Sequence, residues 1–257
     1  MGDRTGIEWT DTTWNPVTGC DRISPGCGHC YAATMARRLK AMGHPKYQQD
    51  GHPVTSGPGF AVTLHPDALR LPYTWRRPRR VFVNSMSDLF HARVPAGFIR
   101  DVFAVIADTP AHTYQVLTKR SRRLARLAGE LDWPGNLWMG VSVEDAAHLP
   151  RIADLATVPA AVRFLSAEPL LGPLVTPGGG PSLDVSALHW VITGGESGPQ
   201  ARPCDPDWVR AIRDTCHATG TAFFHKQWGG TRPHATGRLL DGRTHDAFPR
   251  DGARGVA

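Results

Sequence analysis

Cys20, Cys27 and Cys30 fall within eleven residues of one another, and only Cys204 and Cys216 occur elsewhere in the chain. The count of three is informative, because a structural zinc site normally closes with four ligands and a three-thiolate site leaves one position open to a substrate or cofactor. Six residues separate the first two cysteines and two separate the second pair, with Pro25, Gly26 and Gly28 giving the tight backbone that wrapping a metal group requires. A disulfide framework is disfavoured by the odd total of five cysteines and by an opening, Met1-Gly2-Asp3-Arg4, that carries no apolar leader. Ligand count and spacing leave two groups open: iron–sulfur, or zinc completed by a distant His or Cys. His29, beside Cys30, is poorly placed as that fourth ligand.

The elements that must position these thiols follow a regular rhythm. Short β-branched and aromatic runs at 81–84, 114–117, 137–141, 162–165, 190–193 and 222–225 each end in a polar cluster. Helical spacing is found at 31–42, 98–107, 121–131, 146–155 and 208–218, with Pro95 and Pro206 at first-turn positions and Asp205 as an N-cap. Nearly continuous apolar strands alternating with helices predict an α/β fold with a parallel sheet. With one strand before Cys20, the expectation is a complete or partial (β/α) barrel of about six to seven strands, TIM-barrel-like, forming a single domain over 1–257. Residues 43–80, rich in Gly, Pro and Arg, read as a lid or substrate-facing insertion. Residues 173–186, with Gly178-Gly179-Gly180-Pro181, read as a flexible excursion, and the tail from Arg238 as an irregular cover or frayed end.

In a barrel of this type the loops after the strands converge on one mouth, so reactive groups are expected there. Asp88, Lys119, Ser142, Glu144, Glu168, Glu196 and Lys226 all occupy strand-end positions, and the cysteine loop joins them by following the first strand. Glu168, Glu196 and Lys226 are suited to acid–base work in a conventional hydrolase or isomerase, a reading that leaves the cysteines unexplained. Cys216, inside a helical pattern, reads as a small buried hydrophobe.

With 41% hydrophobic residues the chain can bury a substantial core, and no apolar run reaches the ~18 residues of a membrane span. A soluble, cytoplasmic protein without membrane contact is expected, and reduced thiols suit that compartment. The formal charge of +6 favours a polyanionic partner. Arg76, Arg77, Arg79 and Arg80 form one basic knot and Lys119, Arg120, Arg122 and Arg123 another, so nucleic acid, DNA or RNA, is the partner they suggest.

The final Cys-x-x-Cys pair, with His29 before the last cysteine, resembles the radical S-adenosylmethionine superfamily. Trp14-Asn15-Pro16-Val17-Thr18-Gly19-Cys20, Leu117-Thr118-Lys119-Arg120, Ser166-Ala167-Glu168-Pro169-Leu170-Leu171-Gly172, Gly194-Gly195-Glu196-Ser197-Gly198 and Lys226-Gln227-Trp228-Gly229-Gly230 together resemble a phage-associated three-cysteine-motif family of unknown function. The superfamily resemblance implies a 4Fe-4S cluster on Cys20, Cys27 and Cys30, S-adenosylmethionine at the open iron, and an electron donor such as flavodoxin or ferredoxin. By strand position it implies Ser87 and Asp88 at the cofactor's amino group and Ser142 at its ribose, with Lys119, Glu144 and Glu196 as further cofactor-binding candidates. Glu196 follows the sixth predicted strand, not the second, so the superfamily's amino-group role does not transfer to it. The first cysteine gap also departs from the superfamily, which has three residues where this chain has six. A distant similarity to spore photoproduct lyase implies modification or repair of a nucleic acid or nucleotide, with Cys204 as hydrogen-atom donor. The competing expectation is a zinc-stabilised nucleic-acid-binding protein without catalysis.

Overall fold

The computed structural model describes residues 5–176 and 182–249. In chain order the elements are β1 (Thr12–Trp14), β2 (Val17–Thr18), α1 (Tyr31–Ala41), β3 (Thr63–Leu64), β4 (Arg80–Val83), α2 (Ala96–Asp108), β5 (Thr113–Thr118), α3 (Ser121–Leu127), β6 (Leu137–Ser142), α4 (Pro150–Ala156), β7 (Val162–Ala167), β8 (Trp190–Gly194), α5 (Pro206–Thr219), β9 (Ala222–Gln227) and α6 (Pro233–Thr236). Seven strands form one all-parallel sheet in the order β1-β4-β5-β6-β7-β8-β9. Each strand of this sheet lies beside the next in sequence, so the twist accumulates in one direction and curls the sheet into a half-barrel of the α/β, TIM-like kind. The curl stops short of closure, because β1 and β9 are its two edges.

Alternation along the strands explains why both faces are buried. Met139, Val141, Leu165, Val191 and Phe223 join the helix-covered core, where Ile99, Val102, Ile106, Leu124, Leu155, Val209 and Ile212 from the helices meet them. Their neighbours Trp138, Val162, Phe164, Trp190, Ile192 and Phe224 point into the concave side with Trp9. Trp190 is the hub of that inner cluster, with the rings of Phe248, Phe164, Trp138, Phe224 and Trp9 at centroid distances of 5.0, 5.7, 5.9, 6.0 and 6.2 Å. These tilted and edge-on contacts fill the half of the curl near the strand starts. Further along the same strands Ser142, Ser166, Gly194 and Lys226 replace the aromatics, so the concave face passes from an apolar floor to a polar mouth.

Helix boundaries follow local chemistry. The Asp205 side chain accepts the Asp207 N–H, Pro206 opens α5, and Gly220 closes it at φ 73° in the left-handed region. The helix expected over 146–155 begins as a 3₁₀ turn, Ala146–His148, and becomes α4 only at Pro150, whose missing N–H suits a first turn. Between β7 and β8 the described residues contain no helix; Leu170, Leu174, Leu183, Val185 and Leu188 bury themselves against the sheet instead. The flanks of the excursion expected over 173–186 are therefore packed down, tied by the Leu183 N–H to Leu174 O at 2.7 Å, while Gly178-Gly179-Gly180-Pro181 lies outside the described residues. The tail is a cover: His245 O accepts from His225 N–H at 2.9 Å and the Ala247 N–H donates to Phe223 O at 3.2 Å, which pairs the exposed edge of β9. Residues 250–257 lie outside the description. No helix among the described residues is long and apolar enough to cross a membrane.

A Cβ on Gly140 of β6 would stand 2.5 Å from the Phe164 ring. Gly140→Ala should therefore destabilise the fold by about 1–3 kcal/mol through overpacking, and Phe164→Leu in the same chain should recover most of that loss. Urea-unfolding midpoints measure both; an unchanged midpoint for Gly140→Ala would contradict this packing of the concave face.

Candidate functional site

The cysteine loop leaves β2 through Gly19, whose φ of 83° and whose lack of a Cβ are both required, since a Cβ would sit 1.9 Å from Ala61 O. The Gly19 N–H donates to Met86 O at 2.9 Å, and the Ser87 hydroxyl donates to Gly19 O, fixing the loop's start to the end of β4. One 3₁₀ turn, Pro25–Cys27, follows, and Cys30 is the N-cap residue of α1. Cys20, Cys27 and Cys30 are half-buried, free of disulfides and close enough that charge on the other two raises the Cys20 pKa. Burial is the largest cause of that rise and Asp88 the next, with Arg120 opposing; the Cys20 thiol is held well above the ordinary thiol range. As the side chains stand, no group of three or more His, Cys, Asp or Glu among the described residues is arranged to hold a metal ion. The donor chemistry nonetheless fits a soft, thiolate-bound metal, whose binding would have to release the Cys20 proton.

Three carboxylates anchor this loop, Asp21 on the loop itself and the buried Glu144 and Glu196 from the strand ends. Asp21 accepts from Thr55 Oγ1 at 2.7 Å, from the Ser56 hydroxyl, and from His91 Nε2 at 2.9 Å, with Arg93 at 3.6 Å. His91 Nδ1 accepts the Arg93 N–H at 3.1 Å, so the ring proton is on Nε2, aimed at Asp21. Burial alone would raise the Asp21 pKa, but the donors from Ser56, Thr55 and His91 outweigh it and hold the carboxyl at about 2. The second carboxylate, Glu144, is fully buried; it pairs with Arg151 at 2.7 Å and accepts the Gly26 N–H at 3.3 Å. Its pKa is lowered although burial pushes it up, because Lys119, Ser24 and Arg151 favour the charged form. Glu196 is the third, held by Arg202 N–H at 3.0 Å and Nε at 2.9 Å on one oxygen, by Arg202 Nη2 on the other, and by His29 Nδ1 at 2.9 Å. Arg202 Nη2 also donates to Pro25 O at 3.0 Å. Here too burial raises the pKa and the Arg202 and His29 bonds bring it down to about 2.

The strand-end residues thus divide in two. Asp88 accepts from Thr118 Oγ1 at 2.7 Å and from the N–H groups of Phe90 and Lys119 at 3.0 and 3.1 Å, which ties β4 to β5. With Ser87, Glu144 and Glu196 it braces the mouth, and those four side chains are spent on protein partners. Lys226 is paired with Glu168, both four-fifths or more buried, next to Gly194, whose missing side chain leaves room for the Glu168 carboxyl. Ser142 and Ser166, in register on β6 and β7, share the concave face below them, and Lys119 is half-buried beside Glu144. Cys204 packs against Gly195 at the loop after β8, and burial, with Asp205 second, pushes its thiol up to about 11. Cys216 is fully buried in α5.

Segment 43–80 is less a lid than a wall: β3 pairs with β2, and Thr55 and Ser56 hold Asp21. The two basic knots sit at opposite ends of the sheet. Arg76, Arg77, Arg79 and Arg80 precede or open β4 and lie at the strand starts, where Arg80 pairs with Asp11 and stacks over Phe248 at 4.4 Å. The second knot is at the mouth, but Arg120 is turned onto Asp21 O and Arg123 onto the carbonyls of Phe90, His91 and Val94; Arg122 is exposed. They do not form one continuous basic surface, which the linear spacing of each knot could not reveal.

If the Glu196 clamp orders the loop, Glu196→Gln should lower unfolding stability by about 1–3 kcal/mol and speed amide exchange at Gly26 and Gly28, leaving β6 protected. The same loosening should set in as pH falls from about 4.5 towards about 2, because a folded-state pKa of about 2 makes the clamp's contribution full above the unfolded carboxylate pKa and lost on protonation. Exchange unaltered in both tests would show that the loop is held by other contacts.

No curated protein and no solved structure matches the chain. Residues 4–249 match the family model described as Protein of unknown function (DUF5131), and with nearly its whole length covered the chain belongs to that family.

Proposed function

We propose that the protein is an iron–sulfur enzyme of the radical S-adenosylmethionine type that modifies or repairs a nucleic acid or nucleotide. The observation that supports this reading is the anchoring of a three-cysteine loop at the polar mouth of a half-barrel by its own half-buried Asp21 and by two buried carboxylates, Glu144 and Glu196. A zinc staple completed by four ligands would need no such scaffold, since the metal itself holds its loop. Cys20, Cys27 and Cys30 would hold the 4Fe-4S cluster. When bound with S-adenosylmethionine, the cluster supplies reductive cleavage of a carbon–sulfur bond.

The chain's own residues have definable tasks in this scheme. Asp21 anchors the loop to its surroundings, and Glu144 directly and Glu196 through Arg202 hold its backbone, so that the thiols need not pay the ordering cost when the metal binds. The aromatic floor under Trp190 excludes water from the concave face below the mouth. Lys226 and Glu168 can hold or move one proton at the mouth. Cys204, kept as a thiol by its raised pKa, is suited to donating a hydrogen atom. The net charge of +6 and exposed Arg122 on α3 favour a polyanionic substrate, and an acidic flavodoxin or ferredoxin would suit the same surface as electron donor.

Protein purified without oxygen should contain about four irons and a matching amount of sulfide per chain, with an electron paramagnetic resonance signal that S-adenosylmethionine alters. Cys27→Ala should lose nearly all of the iron. One zinc and no iron would sink the proposal in favour of a zinc-stabilised binding protein.

A further inference from the structure

Beside the cysteine loop, a cavity of about 240 Å³ is lined by Pro45, Lys46, Gln49, Thr63 and His65. Its two titratable groups are both basic. Lys46 is half-buried, and neither it nor His65 is paired with a carboxylate among the described residues. Their charges act on each other, since Lys46 opposes protonation of His65, and burial opposes it further. Burial likewise lowers the Lys46 pKa. A half-buried ammonium left without a counter-charge is costly, and natural proteins pair such groups or present them to an anion. Gln49 adds an amide, while the Thr63 hydroxyl donates to Ala61 O at 3.2 Å, so the lining offers a small oxyanion the ammonium and an amide and no opposing carboxylate.

The position of this cavity gives it a use. His65 Nε2 is 2.8 Å from Thr18 Oγ1, the His65 N–H donates to Pro16 O at 2.8 Å, and Thr18 pairs with Thr63 across β2 and β3. Thr18 is two residues before Cys20. The cavity wall and the start of the cysteine loop are therefore one piece of structure.

We propose that Lys46, His65, Gln49 and Thr63 form a binding site for a phosphate group. The ammonium supplies the charge and the Gln49 amide a further donor, while the neutral His65 ring, held by Thr18, and Thr63 shape the wall. That the phosphate belongs to the enzyme's substrate rests on the proposed function; the site itself does not. Acetate, with two oxygens and one charge, should bind more weakly than phosphate.

Calorimetric titration of the full chain with inorganic phosphate, with a nucleoside monophosphate and with acetate tests this. Saturable phosphate binding is expected, weakened about tenfold or more by Lys46→Met, with an unfolding midpoint for the ligand-free variant no lower than that of the parent chain. Lys46→Arg should retain most of the affinity. A nucleoside monophosphate that binds more tightly than phosphate would identify an ester as the ligand, and equal affinities would identify free phosphate. Absence of saturable phosphate binding, an undiminished affinity in Lys46→Met, or acetate binding as tightly as phosphate would overturn the proposal. The titration needs no metal, so a negative result leaves the cysteine assignment standing, and a metal-free protein leaves this site standing.

Discussion

A carboxylate removed from water must be matched by cations or hydrogen-bond donors, because an uncompensated buried charge costs several kcal/mol. At the mouth of this half-barrel the matching is done across the fold. Asp21 meets His91 from the segment after β4, Glu144 meets Arg151 from α4, and Glu196 meets Arg202 from the loop before α5. Asp21 is part of the loop between β2 and α1, and the other two pairs reach that loop through the Gly26 N–H and Pro25 O. The loop has little regular hydrogen bonding of its own beyond one 3₁₀ turn, so its conformation depends on contacts from outside it, these three together with the bonds to Met86, Ser87 and Thr55. Disturbing the strand ends would therefore disturb the thiols.

The sheet makes this possible by dividing its concave face into two chemistries. Near the strand starts, six aromatic side chains gather around and including Trp190, and the tail seals that end by placing Phe248 on Trp190. At the strand ends the same register positions hold Ser142, Ser166, Gly194 and Lys226. An apolar floor supplies burial energy without competing hydrogen bonds, and a polar rim accommodates groups that must remain reactive. The raised thiols of Cys20 and Cys204 follow from burial outside that floor, Cys20 against the cluster around α1 and Cys204 against the helix-covered core.

Several features of this arrangement were legible in the chain. The strands at 81–84, 114–117, 137–141, 162–165, 190–193 and 222–225 lie within β4 to β9, apart from Asn84 just after β4, because a doubly buried parallel strand must be apolar on both faces. Placing Asp88, Glu144, Glu168, Glu196 and Lys226 at one mouth followed from strand ends alone. What those side chains do there was not legible. Asp21 and His91 are seventy residues apart, His29 and Glu196 far more, and no local spacing connects them. Glu196 therefore read as a cofactor candidate, whereas its oxygens are occupied by Arg202 and His29. Arg202 and Arg151 carried no signal beyond their charge.

Composition and periodicity by themselves determined the parallel α/β sheet, the mouth and the three clustered thiols, because each depends on residue type and short-range order. Tertiary structure alone decided that the curl stays open between β1 and β9, and that the two basic knots face opposite ends. It also decided which carboxylates brace the loop and which remain at the mouth. The physical reason is common to all of these: charge pairing and edge closure depend on distances between segments remote in sequence, and those distances exist only once the chain has folded.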